Sequence, residues 1–200
     1  MSPGAAGSER PGPVALFGTS ADPPSCGHRS LLAGLAASYP LVATWASDNP
    51  FKAHGAPLEV RARLLGAVVA ALNRPGLRLE QGLSSPRAIE TLERAGALWP
   101  GRELVFVVGS DLVPQIPRWV RAADLLGRCR LAVVPRQGWP VAPADLQPLR
   151  DLGGRVELLP LSIPATASSA IRQRARRDQV PAELWPELIQ HNLYGLGTPP

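Results

Sequence analysis

The chain has 200 residues, 45% of them hydrophobic and 18% charged. That suits one soluble globular domain with a substantial core; two small domains would also fit, but no linker-like stretch divides the middle of the chain. The net charge is +5 and the pI about 10.2. Lys52 is the only lysine, so the basicity is almost all arginine. Either a nucleic-acid partner or a triphosphate site with ordinary surface arginines accounts for that charge.

Residues 1–12, rich in Gly, Pro, Ser and Ala, read as a disordered arm, and no apolar h-region makes them a secretory signal. Residues 14–17 form a short apolar strand that ends at Gly18. A Gly/Pro/Ser loop follows, then a helix over 30–38 with Leu31, Leu32 and Leu35 on one face. Residues 41–46 are a second strand. Pro57 suits the first turn of a helix running to about Asn73, and the stretch 73–76 (Asn-Arg-Pro-Gly) stops it.

A third helix spans 85–97, with Ile89 and Leu92 facing inward. Strands follow at 104–108, 131–134 and 155–159, and Cys129 is expected to pack in a strand. Residues 168–178 and 181–191 are expected to be terminal helices. The alternation fits βαβ crossovers and so a doubly wound parallel sheet, a Rossmann-like single domain over 13–200. Ligands of such sheets sit outside the carboxyl ends of the strands, here the loops after Phe17, Ala46, Val108 and Val134. No apolar run reaches the roughly 18 to 20 residues of a membrane span. Cys26 and Cys129 lack metal-site spacing and read as reduced thiols of a cytoplasmic protein.

Two features carry chemistry. The loop 18–28 reads Gly-Thr-Ser-Ala-Asp-Pro-Pro-Ser-Cys-Gly-His. Gly18 permits an unusual turn, and Gly27 lets a ligand or backbone approach. Amides of 18–20 and of a helix starting near Gly27 can point at an anion, with His28 aimed at the same place. The loop is neither a P-loop nor a GxGxxG fingerprint. The second feature is Thr166-Ala167-Ser168-Ser169-Ala170-Ile171-Arg172. Ser168 or Thr166 can cap the helix that follows, and Ser169 and Arg172 share a helix face. Hydroxyl, helix-start amides and guanidinium make a polyphosphate clamp. A polar βα loop and a capped surface helix are the alternative readings.

Together the loop resembles the T/HxGH signature of the nucleotidyltransferase superfamily, and residues 167–172 resemble its SSTxIR motif. Residues 107–111, 117–119, 134–139, 49–52, 90–92 and 189–194 extend the likeness to bacterial nicotinate-mononucleotide adenylyltransferases, in the same order over about 13–194. The stretch 45–52 is most similar to cyanobacterial members. The resemblance implies transfer of the adenylyl group of ATP to nicotinate mononucleotide, with Mg²⁺ arriving on ATP and no dedicated metal site. It implies catalytic roles for His28 and Arg172. It places Gly18, Thr19, Ser20, Ser25, Gly27, Ser168 and Ser169 at the triphosphate, and Gly109 and Asp111 at the adenosine ribose. It places Trp119 on the pyridine ring and Lys52 and Arg136 at the acceptor.

His54 and His191 match no motif and read as structural or exposed; Trp99, Trp139 and Trp185 read as packing. The chain departs from the family pattern at Ala21 (usually Phe), Ser25 (His or Thr) and Arg87-Ala88 (Tyr-Thr). A related transferase with another acceptor such as phosphopantetheine, and a non-catalytic nucleotide-binding module, share the same two phosphate features. A nucleic-acid-binding protein would leave the glycine loop and Asp111 without a role, so neither nucleic acid nor membrane is the expected partner.

Overall fold

The computed structural model describes residues 12–48, 53–161, 168–174 and 176–196. Six strands pair in parallel: β1 Val14–Thr19, β2 Leu41–Ala46, β3 Leu77–Leu79, β4 Leu104–Gly109, β5 Arg130–Val134 and β6 Arg155–Leu158. Their spatial order is β3-β2-β1-β4-β5-β6. Val14 of β1 lies opposite Leu41 of β2 on one side and Leu104 of β4 on the other. Both faces of such a sheet are covered, which is why β4 reads Leu-Val-Phe-Val-Val-Gly with no polar alternation.

Successive side chains point to opposite faces. Ala15 and Phe17 join a core with helices α1 Cys26–Ser38 and α2 Leu58–Leu72, and Val14 and Leu16 join one with α3 Ala88–Leu98 and α4 Ala122–Arg128. The first face also receives α6 Ser168–Arg174 through Ile171 and α7 Trp185–Gln190 through Trp185 and Leu188. The second receives α5 Gln147–Asp151 through Leu149. This is a doubly wound α/β sheet in one domain. Among the described residues no helix is long and apolar enough to cross a membrane.

Several elements differ from their sequence expectation. α1 starts at Cys26 rather than residue 30, because its first turn carries Gly and His instead of the apolar residues that mark periodicity. α3 starts at Ala88, after a 3-10 turn at Gln81–Leu83. β3, α4 and α5 were not expected; at 3, 7 and 5 residues they are too short for a periodic signal. The expected helix over 168–178 divides: α6 ends at Arg174, and Arg177–Gln179 form a separate 3-10 turn. The one over 181–191 is a 3-10 turn, Ala182–Leu184, followed by α7. Cys129 lies outside the strands. It ends α4, where its thiol donates to the Leu125 carbonyl at 3.2 Å and burial pushes its pKa up to about 12. Both cysteines are free. The expected arm, residues 1–12, lies outside the described residues apart from Gly12, whose carbonyl accepts from Arg102 Nε at 2.8 Å.

Leu65 in α2 is fully buried. Leu65→Ala is expected to destabilise the fold by about 3 kcal/mol, read as a lower denaturant midpoint at unchanged slope.

Candidate active site

A cleft of about 1370 Å³ opens at the carboxyl ends of β1, β2, β4 and β5. It lies where the strand order reverses, since the chain leaves β1 toward one face and β4 toward the other. The four loops expected to face a ligand all line it.

At one end β1 contributes Gly18 and Thr19. Gly18 is not in a left-handed turn, contrary to the conformational reason expected for it. A Cβ there would lie 2.6 Å from the indole of Trp45 on β2, so glycine is needed for the close approach of that ring. His28 sits in the first turn of α1. Its Nδ1 accepts the backbone N–H of Ser25 at 3.0 Å and lies 2.8 Å from Ser25 Oγ. Its Nε2 lies 2.8 Å from Thr19 Oγ1. A backbone N–H can only donate, so Nδ1 is unprotonated and the neutral ring carries its proton on Nε2, donating to Thr19. Burial first, and the nearby Arg136 guanidinium second, hold the His28 pKa down to about 4.

Ser25 lies behind the cleft wall. It is fully buried and absent from the cleft lining, and caps α1 behind His28. Ser20 and Gly27 do line the cleft. So do Ser168, Ser169 and Arg172 of α6, brought there from the far end of the chain. Ser168 Oγ donates to the Pro23 carbonyl at 2.8 Å, which ties α6 to the first loop.

At the middle of the cleft Asp111 follows β4, and its Oδ2 lies 3.0 Å from Arg136 Nη1 after β5. The Ser110 hydroxyl staples those two loops, donating to the Trp139 carbonyl at 2.7 Å and accepting from the Arg136 N–H at 3.0 Å. Trp139 itself is 53% exposed rather than packed. Trp119 also lines the cleft, as do Arg87, Ala88 and Thr91 at the α3 start. The Trp119 ring meets Phe106 edge-on at 6.4 Å, and Phe106 meets Trp45 likewise at 6.5 Å. Lys52 lies outside the described residues.

The sequence reading missed Arg61, Asp22 and His54. Arg61, 1% exposed, donates from Nε to the Ala56 carbonyl at 3.0 Å and from Nη1 to the carbonyls of Ser20 (2.7 Å) and Ser47 (2.9 Å), and it pairs with Asp48. One guanidinium therefore ties together the loops after β1 and β2. The available signal was its spacing from Leu58 and Leu65, which puts an arginine on the core face of α2. His54 lines the cleft between Asp22 (3.5 Å) and Asp48 (3.8 Å).

No family model matches the chain. It is 36% identical over 197 residues to a Synechocystis protein named "Probable nicotinate-nucleotide adenylyltransferase", covering 90% of this chain and 98% of that one. The chain belongs to the nicotinate-nucleotide adenylyltransferase family. A Chlorobaculum tepidum protein of the same name is 31% identical over 195 residues, with the same coverage of 90% and 98%. The fold matches Plasmodium falciparum nicotinic acid mononucleotide adenylyltransferase complexed with NaAD, at a TM-score of 0.78 and 15% identity over 92% of this chain and 98% of that one. The protein is thus a nucleotidyltransferase enzyme of NAD biosynthesis.

The departures of this adenylyltransferase from the family motifs have local consequences. Ser25 is the N-cap residue of α1, and its backbone N–H donates to His28. Ala21 is fully buried at a left-handed φ of 48°, a backbone strain of the kind held at functional loops. Arg87 caps α3 and pairs with Glu90 at 3.0 Å.

The His28 pKa carries a stability prediction. The folded value, about 4, lies below the ordinary 6.5, so between these pH values the unfolded chain binds more protons. Stability conferred by neutral His28 is complete above about pH 6.5 and falls by about 3 kcal/mol as pH drops to 4. Denaturation of the ligand-free enzyme at a series of pH values, beside His28→Gln, should show this slope in the wild type and its loss in the variant.

Proposed function

We infer that the enzyme joins ATP and nicotinate mononucleotide in this cleft, giving nicotinate adenine dinucleotide and pyrophosphate. The observation that carries the reading is one continuous cleft with a cationic, hydroxyl-lined end at His28, Ser169 and Arg172 and an aromatic end at Trp119. Its volume of about 1370 Å³ suits two nucleotides meeting at their phosphates.

A phosphate oxygen of nicotinate mononucleotide attacks the α-phosphorus of ATP, and the bond to the β-phosphate oxygen breaks as pyrophosphate leaves. The attacking phosphate is already ionised at pH 7, so no general base is required. The work is alignment and neutralisation of charge on the leaving group. His28 suits this as a neutral donor: its Nε2–H turns from Thr19 to an α-phosphate oxygen while Nδ1 stays anchored to Ser25. Ser169 and Arg172 hold the β- and γ-phosphates, with Ser168, Gly18, Thr19, Ser20 and Gly27 shaping the cradle. Ser25 serves the triphosphate through His28.

Gly109 and Asp111 receive the adenosine ribose, whose hydroxyls a carboxylate can bridge. Arg136, between Asp111 and His28, meets the phosphates at the point of transfer, including that of the acceptor. Lys52 joins it at the acceptor. Trp119 stacks on the pyridine ring. Among the described residues no group of three or more His, Cys, Asp or Glu is placed to hold a metal. Mg²⁺ would arrive on the triphosphate and neutralise phosphate charge there. We place the catalytic domain at residues 13–200 with 1–12 as an arm, and the enzyme in the cytoplasm with no nucleic-acid or membrane partner.

Pyrophosphate release from ATP should be fastest with nicotinate mononucleotide, slower with nicotinamide mononucleotide and absent with phosphopantetheine; release with phosphopantetheine alone contradicts the acceptor assignment. His28→Ala should lower kcat about 100- to 1000-fold while calorimetric ATP binding survives, and wild-type turnover would remove His28 from the mechanism. Trp119→Ala should raise the acceptor KM; a change confined to the ATP KM would show that the ring serves the other nucleotide.

A further inference from the structure

Asp22, in the loop after β1, is the most enclosed carboxylate at the cleft, its side chain 2% exposed. A buried carboxylate is costly unless paired and hydrogen-bonded. Its Oδ2 accepts the Gly55 N–H at 2.8 Å and pairs with Arg172 Nη1 at 3.1 Å, with His54 Nδ1 at 3.5 Å. The same Nη1 also donates to the Asp22 backbone carbonyl. Arg172 is thus gripped at one nitrogen by both the side chain and the main chain of a residue 150 positions away. Its Nε and Nη2 make no hydrogen bond among the described residues, and the side chain lines the cleft, 31% exposed.

Gly55 completes the arrangement. A Cβ there would stand 2.9 Å from Arg172 Cδ and 3.0 Å from the Tyr194 ring. The arginine stem therefore passes through space that only glycine leaves open. Tyr194 closes the group from the other side; burial, then Asp22, keep its phenol protonated.

We propose that Asp22 is a positioning residue for nucleotidyl transfer, fixing one edge of the Arg172 guanidinium so that its other N–H groups face the β- and γ-phosphates, with Gly55 providing the clearance. A guanidinium presents its donors in a rigid plane, so holding one nitrogen orients the rest. The proposal rests on the reading of Arg172 as a triphosphate contact.

The test is a double-mutant cycle on the full chain, with KM for each substrate, kcat and Tm. Asp22→Asn, which keeps an acceptor for the Gly55 N–H, should raise the ATP KM about tenfold and leave the acceptor KM within about twofold. In an Arg172→Ala background the same change should move the ATP KM by less than about twofold. An equal rise in that background means that Asp22 does not act through Arg172, and a lower Tm with an unchanged ATP KM means a structural anchor only; either result overturns the proposal. If Arg172→Ala alone leaves the ATP KM unchanged, the reading of Arg172 itself fails. Gly55→Ala is the second arm, and the one to rely on if Asp22→Asn does not fold. It leaves the carboxylate and the N–H in place and crowds the arginine stem and the Tyr194 ring, so the comparison with the Arg172→Ala background isolates the arginine's share. It should raise the ATP KM in the wild-type background and not in Arg172→Ala, and an unchanged ATP KM in the former overturns the proposal.

Discussion

At the carboxyl edge of a parallel sheet each chain segment leaves its ladder with carbonyls to which no strand will donate. Here the problem is concentrated beside β1 and β2, where the cleft requires loops rather than further strand. The Arg61 guanidinium answers it. It reaches from the core face of α2 and donates to carbonyls of Ser20, Ser47 and Ala56. A fully buried cation is costly unless every donor is matched, and these carbonyls, with Asp48, supply the match. The loops that bear Thr19, Asp22 and His54 are held relative to one another by this one side chain.

Onto that frame the enzyme places groups whose protonation is set by packing. His28 is neutral because its ring is desolvated and faces Arg136, and because its Nδ1 is taken by the Ser25 N–H. Neutrality spares the fold an unpaired buried charge next to arginines and leaves one N–H, which donates to Thr19 at the cleft wall. Positive charge at the cleft comes instead from the guanidinium groups of Arg136 and Arg172, which stay protonated at any working pH. Charge neutralisation and hydrogen-bond donation are thus divided between residue types.

The sheet brings distant segments to one wall. Arg172 and Asp22 are 150 residues apart in the chain, and Arg136 and Asp111 are 25 apart. Each pair joins a carboxylate in one strand-end loop to a guanidinium from another element. The acidic partner holds the cation in place without removing all of its donors. This gives the 21 basic residues of the chain, against 16 acidic ones, a distribution in which the arginines that face the cleft are oriented as well as present.

The sequence by itself determined the architecture and named many of the residues that line the cleft. Strands 41–46 and 104–108 were legible because a sheet covered on both faces demands continuous apolar runs, and the alternation of strand and helix implied the doubly wound order. Gly18, His28, Asp111, Trp119 and Arg172 were legible because family motifs carry them. The tertiary structure alone decided what depends on approach between segments. Gly18 is glycine because Trp45 lies against it, and Ser25 holds the His28 ring. β3, α4 and α5 escaped notice because a few residues packed on a neighbour need no periodicity of their own. Asp22, Gly55 and Arg61 escaped because what marks them is contact across loops, which local spacing does not encode.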